Sequence, residues 1–234
     1  MRDVLIERFF TALISGDRQA SRAVVDEALD AGHGAGEILV RLFWPTNEHI
    51  QDLYRGDQLS DLAHNFSTRL MRTLAEQMQL RLEQHPRMGK RLLMVCGNDQ
   101  GEELGAQISA DLLEAAGYEI YFAGGGIAND EIVSQVGQLR PQVLVIFGAV
   151  APTVPVTRLL IDRLHDIGVC PELQTVVGGG IFNRADGLAE EIGADLWATD
   201  PEELVQVLIE HPDRRMTQDQ RTVGRKRRTK RPAA

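Results

Sequence analysis

The sequence predicts an α/β protein built as an N-terminal four-helix bundle followed by a doubly wound, flavodoxin-like sheet of five parallel strands. Three observations carry that reading. Residues 1–84 place apolar side chains at helical spacing, with only short breaks between segments. After Lys90, short apolar runs alternate with amphipathic stretches, the pattern of a βα repeat. Several of those runs close in glycine, as buried parallel strands do before a tight turn.

The bundle is read in order. Leu5, Phe9, Ala12 and Leu13 mark a helix over 3–15, which Gly16-Asp17 ends. Asp17 is placed to cap the next helix, 18–31. Gly32 to Gly36 break the chain. A third helix is expected over 37–54, kinked at Pro45, and a fourth over 60–83. Residues 85–89 read as a linker. The predicted strands are 91–97, 118–124, 141–149, 173–180 and 194–200. The helices between and after them are 102–116, 130–139, 156–167, 183–192 and 201–210. Proline at 201 suits a first helical position. The domains are thus 1–84, a helical cap; 90–212, a Rossmann-like domain; and 213–234, a basic tail expected to be disordered.

Composition narrows the function. The chain has 234 residues, 43% hydrophobic and 25% charged, which suits a globular protein with a substantial core and excludes collagenous or wholly disordered classes. No run of about 18 apolar residues exists to span a membrane. The opening MRDVLIERFF lacks a secretory pattern, so a cytoplasmic location is expected. Cys96 and Cys170 are too few and too far apart for a disulfide framework or zinc site. The net charge of −9 is uneven: residues 213–234 hold nine Lys/Arg and two Asp, a net +7, leaving −16 on the body. An acidic body argues against a broad nucleic-acid surface. The tail allows non-specific, salt-sensitive nucleic-acid contact, although a solvated terminus is the simpler account.

In a doubly wound sheet, ligands bind beyond the carboxyl ends of the strands. The loops there are 97–105, 124–129, 148–155, 178–183 and 199–201. GNDQGEELG (97–105) lacks G-x-G-x-x-G spacing and a Walker lysine, and its acids would repel phosphate. Gly124–Gly126 and Gly178–Gly180 leave backbone bare of side chains, either for a flat ligand or for close packing. No Ser-His-Asp set or receiver-type acidic cluster is present, so no catalytic residue is assigned.

The segments SGDRQASRAVVDEALDAG and LYRGDQLSDLAHNFSTRLMRTL, followed by LGAQISADLLEAAGYEIYFAG, PQVLVIFGA, VVGGGIFN and IGADLWATDPEEL, resemble the cobalamin-binding domain family. That family includes corrinoid methyl carriers, the cobalamin module of methionine synthase and light-sensing regulators. The resemblance covers roughly residues 5–210. It implies a corrinoid cofactor between cap and α/β domain, with Leu53, Tyr54 and His64 above the corrin. His64 is the implied metal ligand of the upper face. Below, it implies Gln100, Glu102, Gly105, Gly148, Thr153, Gly178, Gly179, Gly180, Phe182 and Thr199 around the cofactor.

Two departures stand out. The family's D/E-x-H-x-x-G, whose histidine coordinates cobalt from below, is here Gln100-Gly101-Glu102-Glu103-Leu104-Gly105. A carboxylate is a poorer cobalt ligand than an imidazole, and the acid that would orient the histidine is gone as well. The family's Ser/Thr after strand three is Gly148, with Thr153 further on. With a cap and a binding domain but no substrate barrel, the resemblance therefore implies a non-enzymatic corrinoid-binding sensor or regulator without a lower histidine. Two alternatives stay open: a degenerate fold serving as a protein-interaction module, and a methyl carrier. Phe9, Phe10, Phe43 and Trp44 could form a homodimer face, with core packing as the simpler explanation.

Overall fold

The computed structural model describes residues 3–148 and 151–216. The cap comprises α1 (Asp3–Ile14), α2 (Arg18–Asp30), α3 (Ala35–Ile38), a π-helical turn (Leu39–Phe43), α4 (Trp44–Arg55) and α5 (Asp61–Gln79). Asp17 caps α2 as expected, accepting from the Gln19 and Ala20 amides at 3.0 and 2.9 Å. The expected third helix is interrupted ahead of the proline rather than kinked on it. Pro45 lacks an amide hydrogen, and its ring crowds the carbonyl four residues back. The chain widens into the π turn instead, the Trp44 amide reaching back to the Leu39 carbonyl. Thr46 Oγ1 donates to the Leu42 carbonyl at 2.6 Å.

The α/β domain runs β1 (Arg91–Cys96), α6 (Gln100–Ala115), β2 (Glu119–Gly124), α7 (Asn129–Leu139), β3 (Val143–Phe147), a 3₁₀ turn (Ala151–Thr153), α8 (Val154–Ile167), β4 (Gln174–Gly178), α9 (Gly180–Arg184), α10 (Leu188–Ile192), β5 (Leu196–Ala198) and α11 (Pro201–Glu210). The helix expected over 183–192 is two short helices. Gly187, at φ +81°, breaks the run between them, a conformation open to glycine at little cost. All strands are parallel, in the order β2-β1-β3-β4-β5, so the direction of winding reverses between β1 and β3.

Strand alternation builds two core layers. Leu92 and Met94 face α6 and α11, whereas Leu93 and Val95 face α7 and α8. Helix α6 serves two cores. Its Leu104, Ile108 and Ala115 pack with the cap's Phe9, Phe43 and Met71, and its Ala106, Ala110 and Leu113 pack on the sheet. Trp44, a cap residue, belongs to the sheet core and meets Phe147 edge-on at 6.0 Å. Phe9, Phe43 and Trp44 are thus interior and offer no dimer face.

The expected tail boundary moves. Residues 213–216 are packed against the sheet, and the rest of the tail lies outside the described residues. Among the described residues, no helix is long and apolar enough to cross a membrane.

Candidate functional site

The reversal between β1 and β3 opens a cavity of about 390 Å³ at the carboxyl ends of those strands. Its walls include Ile132 of α7, Ile146 of β3, and Val156 and Leu160 of α8, on the α7–α8 side of the sheet. Its floor is Gly97, Gly126 and Gly148, and two hydroxyl residues, Thr153 and Thr157, complete it. Strand pairing continues one residue beyond β1 and β3, with the Gly97 amide on the Phe147 carbonyl (3.1 Å) and the Gly148 amide on the Gly178 carbonyl (2.9 Å). The 3₁₀ turn returns Thr153 to Gly148: a Cβ there would lie 3.3 Å from Thr153 Oγ1. A hydroxyl side chain therefore stands beside the end of β3 although residue 148 itself is glycine.

The glycines divide by role. Gly126 lines the cavity at φ +78°. Gly125 is a close approach, since a Cβ would lie 2.2 Å from the Gly97 carbonyl oxygen. Gly179, at φ +99°, is equally tight on the Gly148 carbonyl, at 2.3 Å. Gly179 thus serves packing between adjacent loops, whereas a Cβ at Gly178 would meet nothing closer than 3.6 Å. Phe182 is buried beside Gly148. Thr199 is occupied locally: its amide and hydroxyl donate to Glu203 Oε2 at 2.5 and 2.6 Å.

The cap meets the α/β domain at the start of α6. Asp99 caps that helix, accepting from the Gly101 and Glu102 amides at 2.8 and 3.3 Å. Glu102 is buried and lies over Gly97. Gln51 lies across Gly101, where a Cβ would be 2.1 Å from its side chain. His64 Nε2 is 3.1 Å from Gln51 Oε1, and the His64 ring stacks on Tyr54 at 3.9 Å and 10°. Burial pushes the His64 pKa down, although Asp99 and Asp61 pull it up. Thr68 Oγ1 donates to Gln100 Oε1 at 3.3 Å. Gly105 admits Phe147 and Trp44, each within 3.1 Å of where a Cβ would lie.

The predicted residues therefore separate into two groups. Gly148 and Thr153 line the cavity. Tyr54, His64, Gln100 and Glu102 gather at the cap seam, and Tyr54 also lines a polar recess with Gln51, Arg55, Asp57, Asp61 and Asp99. Leu53 is half-buried on α4. Sequence reasoning missed Asn47 and Gln51, which reach Gly101 from another helix, and Asp99, whose local cap of α6 is a signal the sequence does carry. It also missed Cys96, a cavity residue whose thiol is pushed up to about 12 by burial and by Glu103 and Glu102.

The cavity is the part of the site that fits a corrinoid. Apolar walls, a glycine floor and two hydroxyl side chains suit a nucleotide arm, while residues 97–105 contain acids and no histidine that could ligate cobalt.

Residues 90–206 match a family model described as B12 binding domain, and residues 5–77 match a second model with the same description. The chain is 26% identical over 201 residues to trimethylamine corrinoid protein 2 of Methanosarcina mazei, covering 84% of this chain and 90% of that one. It is 25% identical to the trimethylamine corrinoid protein of Methanosarcina barkeri, covering 84% and 91%. The structure of the Methanosarcina barkeri monomethylamine corrinoid protein superposes with a TM-score of 0.78 at 20% identity, covering 90% of this chain and 99% of that one.

Proposed function

Because this chain belongs to the B12 binding domain family and its cofactor is a corrinoid, we propose that it is a corrinoid carrier that presents the cofactor to a partner methyltransferase. The observation that carries the reading is extent. The chain spans about nine-tenths of corrinoid proteins named for methylamines, cap and α/β domain together. The expectation of a sensor gives way to the carrier as first choice on that ground.

A bound corrinoid supplies the organometallic methyl chemistry, and the protein supplies position and electrostatics. Gly97, Gly126, Gly148, Thr153 and Thr157 would hold the nucleotide arm in the cavity between β1 and β3. Glu102, buried in the first turn of α6 at the position where the resemblance expects the ligating histidine, would offer a carboxylate in place of an imidazole. Gln51, His64 and Tyr54 would form the cap side, with Asp99 keeping the 97–101 turn in place. The chain itself would catalyse nothing without its partner.

One observation favours a second reading, a corrinoid-sensing regulator: residues 97–105 contain no histidine, so the side chain that helps set cobalt redox in carriers is missing. The two roles make opposite demands on affinity. A carrier must retain its cofactor through every state. A sensor responds only as far as it binds one state more tightly than another. The test is equilibrium dialysis of the full chain against hydroxocobalamin, methylcobalamin and adenosylcobalamin. The carrier reading predicts dissociation constants within roughly tenfold of one another. A preference of about 10²-fold or more for one form would replace it with the regulator.

A further inference from the structure

The cavity between β1 and β3 has an aliphatic interior. Val95 of β1, Ile146 of β3, Ile132 of α7 and Leu160 of α8 line it, each no more than 6% exposed and all in one core layer. Val156, one turn before Leu160 on α8, also lines it but is half exposed and stands outside that core. Asn98, in the turn after β1, is an exposed polar residue of the lining and lies beside Gly126. Among the described residues, no charged side chain lines the cavity.

Several donors around it are engaged elsewhere in the protein. Thr157 Oγ1 donates to the Thr153 carbonyl at 3.0 Å, and Asn129 Nδ2 donates to the Val156 carbonyl at 3.2 Å. The Gly97 and Gly148 amides are taken by the Phe147 and Gly178 carbonyls. Burial, with Glu103 and Glu102 adding to it, keeps the Cys96 sulfur a neutral thiol, which is a weak donor. A ring that enters must therefore leave most of a polar edge unpaired, and a buried polar atom without a partner weakens binding.

We propose that this cavity selects the base of the corrinoid: it takes an arm that ends in a weakly polar aromatic ring, a benzimidazole or a phenol, and disfavours one that ends in a purine. The proposal deepens the corrinoid-carrier reading and rests on it. A benzimidazole presents a single ring nitrogen beyond the one joined to the ribose, and a phenol joined through its oxygen presents none. Adenine presents several ring nitrogens and an amino group. Against Ile132, Ile146 and Leu160 those atoms lose water and gain no partner, whereas the apolar rings gain from burial. Val156 is the position through which the preference is open to change, because it shares a face of α8 with Leu160 yet lies outside the core.

The test is equilibrium dialysis of the full chain against cobinamide, p-cresolyl cobamide and adeninyl cobamide in the same upper-ligand form. The cresolyl form binds roughly 10-fold or more tighter than the adeninyl form. Val156→Gln sets a side-chain amide on the cavity wall, narrows that ratio by about threefold or more, and leaves cobinamide within about twofold. Comparing the variant with the unaltered chain cancels any difference in how readily each base leaves the cobalt, since that belongs to the free ligand. Thr157→Val leaves the ratio within about twofold, because its hydroxyl proton is already given to the Thr153 carbonyl. The base selection is overturned, with the carrier reading left standing, by equal affinity for the two complete corrinoids, by tighter binding of the adeninyl form, by a ratio that Val156→Gln does not move, by a matching change in cobinamide, or by a ratio that collapses in Thr157→Val. Failure of cobinamide and both complete corrinoids to bind overturns the selection and the carrier reading together.

Discussion

Glu102 lies directly over Gly97: a methyl group added to Gly97 would sit 1.8 Å from Glu102 Oε2. The carboxylate therefore depends on the bare backbone that ends β1. Gly97→Ala forces this buried side chain to move, at a cost of about 1–3 kcal/mol by the usual penalty for overpacking. Thermal unfolding checks this, with the melting temperature falling by several degrees. Glu102→His places an imidazole where the family carries its cobalt ligand. Corrinoid affinity should then rise roughly 10-fold or more, read by equilibrium dialysis, whereas Glu102→Gln should not raise it.

The cavity between β1 and β3 makes a differential prediction. Val156 lines it and is half exposed, so Val156→Trp fills space there with little damage to the core. Cobalamin, which has a nucleotide arm, should lose about 10-fold or more in affinity. Cobinamide, which lacks that arm, should be unaffected. Equal losses for both ligands would place the arm elsewhere.

Asp111 couples stability to pH. It is buried on α6, and its Oδ2 has no hydrogen-bond partner among the described residues. Burial, then Glu114 and Glu76, pushes its pKa from 3.8 to about 7. The folded state holds this proton over a pH range in which the unfolded chain has released it. Asp111 thus favours folding most below about pH 4, and that contribution is lost as the pH rises through about 7. Urea titrations should show stability falling from pH 5 to pH 8. Asp111→Asn should flatten that slope and gain on the order of 2 kcal/mol at pH 8.

Trp44 and α6 tie the cap to the sheet. Because Trp44 sits in the sheet core while Leu104 and Ile108 sit in the cap core, the two parts should unfold together. Calorimetry of the full chain should give one transition. Trp44→Ala should cost about 3–5 kcal/mol and split or broaden it.

The repeat of strands and helices was legible because period-2 and helical patterns are local, and β1 to β5 lie close to their expected bounds. The π turn was not. Pro45 announces a break, but whether the helix kinks or widens depends on the packing around Leu39 to Phe43. At the site, the glycine runs marked the right loops. Their division into cavity floor (Gly97, Gly126, Gly148) and close packing (Gly125, Gly179) depends on which carbonyl approaches from a neighbouring loop, and sequence carries no sign of that. His64 was legible as a cap histidine. Its pairing with Gln51, thirteen residues away on another helix, was not. The docking of 213–216 was hidden for the same reason: Asp195 looks like any loop acid until Thr175 and Met216 are seen to share it.

The central claim is that the chain holds a corrinoid with no protein imidazole beneath the cobalt. Electron paramagnetic resonance of full-length protein loaded with cob(II)alamin and desalted tests it most directly. The account predicts a protein-bound cobalt signal whose lines lack the three-fold nitrogen splitting, with that splitting appearing in Glu102→His. A nitrogen splitting in the unaltered chain that changes from three lines to two when the protein is labelled with 15N, or no cobalt signal on the protein, would contradict it.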